Sequence, residues 1–112
     1  MQEITTDPRL IEAFHLMFDH YPRPAQLTHK SRRIVAVNDA CKAIGREVGM
    51  VCATHGAPES HKGCLAAAAI QEGKPKWARM GANQENPGYL AYWLPVDSYP
   101  DYYIHFGTSD PE

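Results

Sequence analysis

The sequence predicts one small α+β domain, in which a helix precedes a β-hairpin and a second helical stretch precedes a three-stranded meander. Three observations carry this. Apolar residues recur at helical spacing near the N-terminus, from about Asp7 to Asp19. Two short runs of strand formers flank the polar turn Lys30-Ser31-Arg32. The last third is aromatic-rich and broken by the turn signals Gln84-Glu85-Asn86-Pro87 and Ser98-Tyr99-Pro100.

Each element follows from its residues. Asp7 can cap the first helix and Pro8 suits its first turn, while Leu10, Ile11, Phe14, Met17 and Phe18 form one apolar stripe. Tyr21-Pro22-Arg23-Pro24 stops it, because proline has no N–H to donate. Ala25 to His29 and Arg33 to Val37 then read as an antiparallel hairpin. Asn38 caps a short helix over Asp39 to Ile44, which Gly45 terminates. From Arg46 to Lys62 the pattern is loop. A longer, small-faced helix is expected from His61 or Lys62 to Glu72, stopped by Gly73, and strands at Pro75 to Ala82, Gly88 to Val96 and Asp101 to Thr108 complete the domain.

The bulk numbers exclude several function classes. With 112 residues, 44% of them hydrophobic and 21% charged, the chain is read as one globular domain over 1–112. A net charge of −2 with scattered Lys and Arg argues against nucleic acid, which is bound through a basic face. No apolar stretch approaches the roughly 20 residues that a membrane span needs, and no leader pattern opens the chain. Three cysteines without a leader are read as thiols of a reducing cytoplasm. Phosphate-binding loops, H-E-x-x-H and G-x-S-x-G are all missing, so no enzyme is expected.

The stretch Arg33-Ile34-Val35-Ala36-Val37-Asn38-Asp39-Ala40 through Gly45 resembles the commonest signature of PAS domains, in which a strand ends in Asn, an Ala follows two residues later and a Gly closes the short helix. Gly73 ahead of the third strand and the Trp93-Leu94-Pro95-Val96 strand resemble that family's second half. The resemblance runs from about residue 8 to 109, with the core at about 24–109. It implies a five-stranded antiparallel sheet curved around a cavity, with short helices on one face, in a bacterial-style sensory or regulatory module. Such a module signals through a homodimer or a protein partner and holds haem, flavin, a small metabolite or nothing. The strong apolar stripe of the first helix favours a dimer.

Several residues could carry chemistry. Cys52, His55, His61 and Cys64, spaced C-x2-H-x5-H-x2-C, have the donor types of a zinc or iron–sulfur centre, the alternative being two buried thiols and two surface imidazoles. The family resemblance makes His61 the one candidate for an axial haem ligand. Among Trp77, Tyr89, Tyr92, Trp93, Tyr102, Tyr103 and Phe106, strand alternation sends half toward the cavity and half outward, so that Trp77, Trp93 and Tyr103 are candidate ligand contacts beside plain packing. Arg79 and His105 are polar residues in apolar strands and could anchor a carboxylate or phosphate if they face inward. Cys41 sits in the first turn of a short helix, where a thiol is more acidic, although a lone cysteine there usually only packs. The expected functions are therefore a ligand, metal or redox sensor, an interaction module with an empty cavity, or a small Cys/His metal protein.

Overall fold

The computed structural model describes residues 5–51, 65–80 and 88–109, apart from the side chains of Met80 and Ser109. Helix α1 (Pro8–Phe18) begins where Asp7 accepts the Arg9 N–H, and its proline lies in the first turn. Strands β1 (Ala25–His29) and β2 (Ile34–Val37) form the expected hairpin, with Arg32 at φ 79° in the turn. Helix α2 (Asp39–Ala43) is capped by Asn38, whose side-chain oxygen receives the Cys41 N–H. Helix α3 (Ala66–Glu72) ends at Gly73, which takes the left-handed conformation at φ 63°. Strands β3 (Lys76–Met80), β4 (Tyr89–Val96) and β5 (Tyr99–Ser109) follow.

All pairings are antiparallel and the sheet order is β2-β1-β5-β4-β3, so the last strand lies in the middle. This is the expected five-stranded antiparallel sheet, and the expected α+β class holds. Among the described residues no helix is long and apolar enough to cross a membrane.

One boundary differs from expectation. The β4–β5 turn is Asp97-Ser98, not Ser98-Tyr99-Pro100: Ser98 takes φ 69°, and Tyr99 already pairs with Val96. Pro100 is tolerated inside β5 because the register shifts there, from Val96 opposite Tyr99 to Pro95 opposite Tyr103, which spares a proline the ladder bond it cannot make. Helix α3 starts at Ala66 with Leu65 as its N-cap, and the expected start at His61 or Lys62 lies outside the described residues.

The two sheet faces are covered differently. On the outer face Leu10 and Phe14 of α1 bury against Ala25, Leu27 and Ala36. Leu10, Ile11, Phe14 and Phe18 of the apolar stripe are thus spent on the chain's own sheet, while Met17 of that stripe and Leu16 stay exposed. On the inner face α3 lays Ala66 and Ala69 against Ala91, Trp93 and Tyr103, and Cys41 of α2 packs with Ile34 and Val37. Asn38 ties these layers together. Its oxygen also accepts the Ala25 N–H, and its amide donates to the carbonyls of Phe18, Tyr21 and Arg23.

Candidate functional site

Alternation along β1 explains where polarity enters the core. Ala25 and Leu27 point outward to α1, so Gln26 and Thr28 point inward, and as β1 lies between β2 and β5 all four are buried. A buried amide must be hydrogen-bonded. Gln26 donates to the Thr28 hydroxyl at 3.1 Å and accepts from the Arg46 guanidinium at 3.0 Å. Arg46 reaches it because Gly45, at φ 87°, turns the chain back after α2.

His105 stands opposite Gln26 on β5 and opposite Trp93 on β4. Its ring stacks on Trp93 with centroids 4.8 Å apart, and its Nδ1–H donates to the Tyr92 carbonyl at 3.0 Å. Burial pushes its pKa down to about 4; the bond to the Tyr92 carbonyl opposes this and the Arg46 charge adds to it. At neutral pH the ring is uncharged, and with Nδ1 protonated its Nε2 is an acceptor.

Arg46 and His105 border a cavity of about 310 Å³ at the end of the sheet where β1 begins and β5 runs out. Arg23, Ile44, Arg46, Tyr89, His105 and Gly107 are among its walls, and no acidic side chain lines it among the described residues. The Tyr89 ring lies against Gly107, where an added Cβ would meet its Cδ2 at 3.0 Å. A glycine here allows the ring to form a wall. A second concavity beside Gly73, Pro75 and Pro95 contains Asp97 but no comparable polar cluster.

The structure divides the expected site residues. Trp93, Tyr103 and His105 share the inner face. Trp77 pairs with Tyr92 and Arg79 with Leu90, which puts both on the outer face, and Trp77 is 61% exposed. Neither lines the cavity, because each is one residue out of step with the inward positions 76 and 78. Trp93 and Tyr103 are nearly inaccessible beneath α3, so of this trio only His105 reaches the cavity. Cys52, His55, His61 and Cys64 lie outside the described residues. Gln26 and Arg46 join the site only in the fold. Polar positions 26 and 28 alternate with apolar 25 and 27 in β1, and the strand's place between β2 and β5 buries them.

No protein-family model matches the sequence, and no curated protein matches it. Among solved structures the chain is similar to the PAS domain of BvgS from Bordetella pertussis, with 18% identity and a TM-score of 0.67, over 95% of this chain and 89% of that one. Element order, sheet and likeness agree: the chain has the PAS fold.

Proposed function

We propose that this chain is a sensory or regulatory domain that takes a small molecule in the inner-face cavity and passes its occupancy to helix α1. One observation carries the reading: β5 serves both structures at once. His105, Phe106 and Gly107 all border the cavity, and the Phe106 ring packs on Phe18 and Tyr21, with ring centroids 5.8 and 5.7 Å apart. The Tyr21 hydroxyl also donates to the Gly107 carbonyl at 2.8 Å. At the other end, Tyr99 donates to Asp7 and Thr6 bonds with Tyr102. Helix α1 is therefore fastened to both ends of the strand that walls the cavity.

The output is a dimer or partner contact made by α1 and the outer face. Leu16, Met17 and Trp77 are large apolar residues left exposed there. A ligand shifts that contact only if it binds two α1 arrangements with different affinity.

The test combines a small-molecule screen with amide exchange. In the Trp77→Phe variant, fluorescence reports Trp93 alone, and compounds that change it are then examined for amide protection across α1. Binding that alters protection in α1 is the expected result. Compounds that occupy the cavity and leave α1 protection unchanged would remove the signalling reading.

A further inference from the structure

Three features of the cavity, read together, restrict what it can hold. The first is charge. Arg46 and Arg23 line it without a facing carboxylate among the described residues, so a bound anion would be attracted and a cation repelled. The second is geometry. One arm of the Arg46 guanidinium is tied to the buried Gln26 oxygen, which anchors the fork at the cavity wall. A planar fork matches a planar carboxylate, whereas a compact ammonium would act only as a point charge. The third is apolar surface. Ile44 and Tyr89 are 56% and 39% exposed, and both are cavity walls, so an apolar body seated there would cover them.

His105 adds a directional requirement. Its Nδ1–H is spent on the Tyr92 carbonyl, so the ring offers an acceptor. A cavity of about 150 Å³ suffices for benzene, and about 310 Å³ leaves room for a substituted ring.

We infer that the cavity is a site for a small organic monocarboxylate with a ring-sized apolar body and a hydroxyl or amine donor, its carboxylate on Arg46, its body against Tyr89 and Ile44, and its donor on His105. This rests on the reading of the cavity as the ligand site and names the class of ligand. A phosphate has no apolar body and would leave Ile44 and Tyr89 in water.

The probes are 4-hydroxybenzoate, its neutral isostere 4-hydroxybenzamide and inorganic phosphate, titrated calorimetrically into the full chain, with the His105 and Gly107 amides followed by NMR. The acid is expected to bind and shift both amides, with the amide probe weaker by roughly ten-fold or more, as loss of a charge-assisted pair implies. Arg46→Met is expected to lose a similar factor and Arg46→Lys to fall between. Arg79→Met, on the outer face, should bind as wild type. Should Arg46→Met prove unstable, Arg23→Met at the rim gives the same test of sign with a smaller loss. Equal binding of acid and amide, competition by phosphate at lower concentration than the acid, or undiminished binding in Arg46→Met and Arg23→Met would each overturn the assignment. If the amide probe binds and the acid does not, the class falls and the cavity reading stands. If neither probe shifts His105 or Gly107, the ligand class falls too, and the fluorescence screen decides the cavity by itself.

Discussion

Acidification should destabilise this domain well above the range in which carboxylates titrate, and His105 should be the main cause. Its folded pKa is about 4 against 6.5 for a free imidazole. The folded state therefore binds fewer protons than the unfolded state between these values, and stability is full above about pH 6.5 and lost as pH falls toward 4. Between about pH 7.5 and pH 5 the unfolded histidine becomes almost fully protonated while the folded one stays largely neutral, which lowers stability by up to about 2 kcal/mol. His29, whose pKa burial also lowers, adds in the same sense. Asp7 and Glu72 have carboxyls held below their usual values by hydrogen bonds to Arg9 and Lys76, so their losses begin below this window. The assay is urea unfolding at the two pH values for wild type, His29→Gln and His105→Gln. The His105→Gln chain should be less stable at neutral pH yet lose much less on acidification than wild type. A fall in His105→Gln as large as that of wild type would refute the reasoning, as would an NMR titration placing His105 near 6.5.

Two further outcomes follow from residues already described. Asn38→Ala should cost about 2 to 4 kcal/mol, a lost cap plus buried carbonyls left without a donor, and Asn38→Asp should recover only part of this. The aspartate keeps the cap acceptor but points a carboxylate at the carbonyls of Phe18, Tyr21 and Arg23; urea midpoints that match wild type in either variant would contradict this. The C-x2-H-x5-H-x2-C spacing is tested by elemental analysis of protein purified without chelator: a metal centre requires about one ion or one cluster per chain that disappears in Cys52→Ala plus Cys64→Ala, and metal-free wild-type protein would end that proposal.

The sequence was most legible where local chemistry decides. Asp7, Asn38, Gly45 and Gly73 act on their own backbone neighbourhood, and each stands at the helix end where its side chain, or its freedom at positive φ, is needed. It was less legible where position in the sheet decides. Pro100 reads as a turn residue until the register shift in β5 accommodates it. Trp77 and Trp93 read alike, and only pairing separates an exposed outer residue from one buried beneath α3. Gln26 and Arg46 are twenty residues apart and meet because Gly45 reverses the chain. No local pattern marks that encounter.

The inner face explains why the cavity lies where it does. Under α3 the small faces of Ala66 and Ala69 let the helix approach closely, and Ala91, Trp93 and Tyr103 fill that half with apolar contact. Near the end of α2 the same sheet carries Gln26, Thr28 and His105, with Arg46 hydrogen-bonded to Gln26. Apolar residues at these positions would pack without desolvation cost, so the polar cluster weakens the core that a small domain depends on. Such departures from the apolar rule are expected where a protein works rather than where it only folds. The Trp93–His105 stack joins the two halves, one ring fixed in the dry part and the other edging the cavity. A ligand meeting His105 thus acts on β5 directly, with the packing under α3 holding the opposite side of that strand's neighbourhood in place. That same strand bears Phe106, whose ring packs on Phe18 and Tyr21 at the end of α1, which is the route the proposed function requires.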